Sequence, residues 1–130
     1  MRTENAGSGA AGRVENRGVT GDRTRTRPPV ILVVDEAPGV LRLVRYLLVT
    51  SGYGCLTAAT ADDAMKVASD AVEPIDLLLV DLGLEGTTAR DLADRVRAVS
   101  PKTRVLYMPK PLAAGYLMNA VRDTLSGRTS

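Results

Sequence analysis

The stretch Asp76-Leu77-Leu78-Leu79-Val80-Asp81 sets four consecutive large aliphatic residues between two carboxylates. A run that is apolar at every position, not at alternate ones, fits a strand buried on both faces, as in a parallel sheet covered by helices. Leu82-Gly83-Leu84-Glu85-Gly86 follows as a glycine-containing loop. Asp81 is thereby placed at the carboxyl end of a central strand, where open α/β sheets carry their chemistry.

Working outward, Val30-Ile31-Leu32-Val33-Val34 is a second such run, and it also ends in acid, at Asp35-Glu36. Ala37-Pro38-Gly39 turns the chain, and Pro38 suits a first helical turn. Val40, Leu41, Val44, Leu47 and Leu48 recur at helical spacing, with Arg42 and Arg45 opposite. Ser51-Gly52 closes that helix, and Tyr53 to Ala59 reads as a weaker strand. Thr60 is placed as the N-cap of a second helix carrying Ala64, Met65, Val67, Ala68 and Ala71, ended by Glu73-Pro74. After the central strand, Thr87 or Thr88 caps a third helix whose buried face is Ala89, Leu92, Ala93, Val96 and Val99. Arg104 to Met108 is the fourth strand, Pro109-Lys110-Pro111 comes next, and Ala114, Leu117, Val121 and Leu125 mark the last helix. Strand and helix alternate four times, which predicts a parallel sheet with right-handed crossovers.

The bulk numbers narrow the class. At 130 residues the chain holds one domain with a real core. No apolar run approaches the roughly 18 residues of a membrane span, and no signal-peptide core stands near the start. A single cysteine, Cys55, cannot pair internally, so a reducing, cytoplasmic setting is expected. Cys55 itself reads as a small buried hydrophobe. Residues 1–29 hold six Arg against three acids, or +3, which leaves −1 for the remaining 101 residues of a chain at +2. The basic balance thus belongs to the tail, and neither a basic folded face nor a recognition motif for nucleic acid is visible. With almost no bulky apolar residue to offset ordering entropy, residues 1–29 are expected to be a disordered Arg-rich tail before a domain at 30–127.

Parallel strands deliver all their carboxyl ends to one edge of the sheet. Asp35, Glu36, Asp81 and Lys110 therefore converge despite their separation in sequence. Clustered carboxylates repel, and such a cluster makes sense around a hard cation such as Mg²⁺. A lysine beside them suits phosphoryl transfer, and a carboxylate can serve as the nucleophile. Taken alone, an acid after a strand is often only a helix cap or a solvated loop residue.

Ile31-Leu32-Val33-Val34-Asp35-Glu36-Ala37-Pro38, Asp76 to Asp81 and Lys110-Pro111, in that order, resemble the receiver domains of two-component response regulators. The resemblance covers residues 30–126. It implies an α/β, flavodoxin-like three-layer sandwich, here with four helices and four strands in the order 2-1-3-4. It implies a phosphoryl acceptor and not a turnover enzyme: Asp81 takes the group from a sensor histidine kinase or a phosphotransfer protein. Asp35, Glu36, Asp81 and the carbonyl of Gly83 match the Mg²⁺ ligands, Lys110 matches the phosphoryl counter-charge, and Lys110-Pro111 resembles the family's cis bond.

The departures from that pattern are specific. The family has five strands and five helices, whereas Arg104 to Lys110 must here serve for two strands, so the fourth helix and one strand are expected to be missing. Pro109 stands where a Ser or Thr normally ends the fourth strand. Thr87 or Thr88 could supply a hydroxyl, although capping is the simpler role. Glu36 replaces the commoner second Asp, and Glu85 the usual Pro. Lys110 would start one strand from Asp81 instead of two, about 5 Å away and not about 10 Å, and is expected to reach it. The exposed edge predicts a homodimer through that strand or the last helix. No effector domain is expected in the residues left over. Two rival readings remain: a degenerate pseudo-receiver that binds partners without phosphorylation, and a phosphatase with an aspartyl nucleophile. The latter usually shows an acid two residues on, where this chain has Gly83.

Overall fold

A computed structural model describes residues 27–84, 88–109 and 112–127. The elements run β1 (Val30–Val34), α1 (Pro38–Thr50), β2 (Gly54–Ala58), α2 (Ala61–Asp70), β3 (Leu77–Val80), α3 (Ala89–Val99), β4 (Arg104–Tyr107) and α4 (Ala114–Leu125). All pairings are parallel, as the alternation of strand and helix predicts, and the order is β2-β1-β3-β4, as the receiver resemblance implies.

Why the two central runs are apolar at every position is plain from the layers. Leu32, Val34, Leu78 and Val80 face α2 and α3, where they meet Ala64, Leu92, Ala93 and Val96. Ile31, Val33, Leu77 and Leu79 face the other way, onto Val44 and Leu48 of α1 and Leu117 and Val121 of α4. Successive side chains of a strand point to opposite faces, so a strand between two helical layers needs no polar alternation. Every residue of β3 is fully buried, and each side chain contributes roughly 1.5–3 kcal/mol by burial.

The caps fall where the sequence puts them. Thr60 Oγ1 accepts from Asp63 N–H at 3.0 Å, and Thr88 Oγ1 from Asp91 N–H at 3.0 Å. Gly52, after α1, takes a positive φ of 96° that a side chain would strain. Two local expectations are corrected. Helix α2 stops at Asp70, short of Glu73-Pro74, because Ala71 already turns to an extended conformation. Val99 is half exposed and not buried, since it lies in the last turn, past Val96, the last α3 residue of the core.

The amino end of the sheet is tied by Asp76. Its carboxylate accepts Val30 N–H at 2.7 Å and the Arg27 guanidinium at 2.9 Å, and its backbone joins β1 and β4. Asp76 holds the Arg27 pKa above its ordinary value, chiefly through that hydrogen bond. Pro29 O accepts from Gly54 N–H at 2.9 Å. The domain therefore begins by Arg27, three residues inside the stretch expected to be tail. Residues 1–26 lie outside the described residues, as do Glu85 and Thr87.

Asp76→Ala is expected to destabilise the fold by about 1–3 kcal/mol, because it leaves Val30 N–H without this acceptor. Arg27→Ala removes only a partly exposed ion pair and should cost about 0.5 kcal/mol. Urea unfolding midpoints of the two variants, compared with the parent, check the ranking.

Candidate functional site

Strand register decides which side chains can meet. Val34 is the partner of Val80 across the β1–β3 pair. The next residue on each strand is an aspartate, so Asp35 and Asp81 emerge side by side from the carboxyl edge. Backbone bonds continue to that point: Asp81 N–H donates to Val34 O at 3.0 Å, and Asp35 N–H to Ala58 O at 3.2 Å. The two carboxylates thus leave adjacent strands whose backbones run about 4.8 Å apart.

Their surroundings differ. Asp35 is buried, and its Oδ1 accepts Ala37 N–H at 2.8 Å. A carboxylate in that setting is costly to hold without bonds to its charged form. The nearby N-terminus of α1, which has no side-chain cap of its own, adds favourable partial charge. Asp81 is half-buried at the head of a tight loop, and its Oδ1 accepts Gly83 N–H at 3.2 Å. A Cβ at Gly83 would stand 3.6 and 3.8 Å from the two Asp81 oxygens, so this glycine leaves one side of the carboxylate open.

Of the residues expected at the site, Asp35, Asp81 and Gly83 are brought together. Glu36 is an exposed residue of the loop. Among the described residues no group of three or more His, Cys, Asp or Glu side chains is placed to hold a metal ion. Two adjacent carboxylates still fit Mg²⁺, which takes one or two protein carboxylates and keeps several waters. Lys110 and Pro111 lie outside the described residues. Pro109, where the strand leaves the sheet, offers neither hydroxyl nor N–H. Thr88 Oγ1 is used as a cap. Cys55 is half-buried in β2, away from the acids, and burial pushes its thiol pKa up, with a smaller opposing effect of Arg45.

Sequence reasoning missed the use of the backbone N–H of Gly83, having considered only its carbonyl. The spacing Asp-x-Gly was the available signal, since Asp side chains habitually bond the N–H two residues on.

No protein-family model matches the chain. The fold is that of a CheY-like response regulator receiver domain protein from Methanospirillum hungatei, with a TM-score of 0.70, 20% identity, and coverage of 78% of this chain and 96% of that one. The receiver domain of the hybrid histidine kinase CckA matches with a TM-score of 0.69 and 26% identity over 74% of this chain and 98% of its own. The chain carries a response regulator receiver domain. Sequence comparison agrees. The Fimbriae Z protein of Salmonella typhimurium is 26% identical over 104 residues, 80% of this chain and 50% of that protein. The transcriptional regulatory protein KdpE of Mycobacterium tuberculosis is 34% identical over 68 residues, 52% of this chain and 29% of that protein. The chain thus spans half or less of the length of these two relatives.

Gly83→Ala is expected to leave the stability of the receiver unchanged within about 0.5 kcal/mol. The added methyl meets the carboxylate at ordinary contact distance, and Gly83 is not among the positive-φ glycines. Thermal unfolding of the two proteins side by side is the check.

Proposed function

We propose that this receiver accepts a phosphoryl group on Asp81 from a phosphohistidine of a sensor kinase or phosphotransfer protein, in the cytoplasm, as one step of a phosphorelay. The observation that carries the reading is the strand register that sets Asp81 beside the buried Asp35, with Gly83 N–H holding one oxygen of Asp81. That bond orients the carboxylate so that its other oxygen can serve as the attacking atom. A P–O bond forms at Asp81 as the P–N bond of the donor breaks, and the histidine, already protonated on its other ring nitrogen, leaves as the neutral imidazole. The domain is an acceptor in this scheme and not a turnover enzyme. Mg²⁺, when bound by Asp35 and Asp81, neutralises charge on the phosphoryl oxygens. Glu36, the Gly83 carbonyl and Lys110 complete that arrangement in the family pattern. In this reading the four-stranded sheet is a receiver shortened by one helix and one strand.

A second reading has its own observation. Pro109 at the end of β4, where the family pattern has a Ser or Thr, favours a pseudo-receiver that binds partners without being phosphorylated. The two readings separate in a beryllofluoride titration with Mg²⁺, followed by amide chemical shifts. Acceptance predicts saturable shifts around residues 81–84 in the parent and none in Asp81→Asn. A flat response in both proteins establishes the pseudo-receiver instead.

A further inference from the structure

Strand β4 is an edge of the sheet. Arg104 N–H donates to Asp76 O at 3.0 Å and Met108 N–H to Val80 O at 2.8 Å, both toward β3. Because the pleat alternates, Leu106 points its backbone the same way, and the N–H and C=O groups of Val105 and Tyr107 point to the open side. The window is short. Pro109 would be the next residue facing outward, and it has no N–H. Arg104, at the other end, is drawn back toward α4, where its guanidinium donates to Thr124 O at 3.4 Å.

Beside this window lies a groove of about 380 Å³ lined by Leu82, Leu106, Tyr107, Met108, Tyr116 and Ala120, with Pro109 at one end. Leu82 and Tyr116 are 61% and 66% exposed, high values for large apolar side chains. None of the described lining residues carries a charge. The opposite edge, at β2, is unlike it: Lys66, Asp70 and Glu73 stand in the groove there, and charges of that kind keep strand edges from pairing.

We propose that the β4 edge is a self-association surface, on which a second copy of this chain pairs its own β4 antiparallel. An isologous pair presents the same surface twice, so the occupant must match the edge in both hydrogen bonding and charge. Val105 and Tyr107 supply outward donors and acceptors at alternate positions, which is the spacing an antiparallel copy returns. With Leu106 on the two-fold axis, Val105 lies opposite the second copy's Tyr107, and each such pair exchanges both of its backbone bonds. An aromatic beside a β-branched residue is a favourable cross-strand pair. Among the described residues the lining brings no like charges together when the partner is itself, and it offers a charged peptide no counter-charge. This pairing needs no phosphoryl group, so it stands or falls apart from the acceptor role of Asp81.

The test is light scattering of the full chain without any phosphodonor, from micromolar to about 1 mM, with amide hydrogen exchange at both extremes. Mass should rise from 13.8 kDa toward twice that value, and the Val105 and Tyr107 amides should become protected as it does. Tyr116→Glu, a change at an exposed position, should weaken association at least about tenfold by setting like charges in the joint groove. A constant mass of 13.8 kDa overturns the proposal. So does association that leaves the Val105 and Tyr107 amides unprotected, a result that needs no variant to interpret.

Discussion

The parallel pairing of β1 with β3 is the constraint on which the rest depends. It puts the two most buried strands at the centre of the sheet, and it fixes which residues leave the carboxyl edge together. Had the register slipped by one residue, Asp81 would stand beside Glu36 or Val34, and both helical layers would lose their contacts. The core enforces the chemistry: eight aliphatic side chains packed on two faces leave no other alignment of the aspartates.

At the far end of the same strands Asp76 performs the complementary task. It joins the starts of β1, β3 and β4 through its backbone and carboxylate and draws in Arg27. One acid thus closes the amino edge of the sheet, while two others lead off its carboxyl edge side by side.

Most of this fold was legible because the strands are unbroken apolar runs and the helices have strong caps. Thr60 and Thr88 could be read as N-caps from the acids three residues later, and both cap in the structure. Alternation predicted a parallel sheet, and the order 2-1-3-4 came from the family resemblance. Less legible were features set by tertiary contact. Nothing in the sequence separates Arg27 from the five arginines before it until the place of Asp76 is known. Glu36 reads as a ligand by adjacency to Asp35, and the structure places it exposed in the loop after β1. The hydroxyl-free end of β4 was readable directly, since proline at 109 cannot be mistaken for serine or threonine.

The central claim is that Asp81 is chemically competent as a nucleophile toward phosphorus. The most direct measurement is incubation of the full chain with phosphoramidate and Mg²⁺, reduction with borohydride, and peptide mass spectrometry. An aspartyl phosphate is reduced to homoserine, which marks its position covalently. The account predicts homoserine at position 81, dependent on Mg²⁺, with Asp35 unmodified. An unmodified position 81 under conditions in which an established receiver is labelled would contradict it.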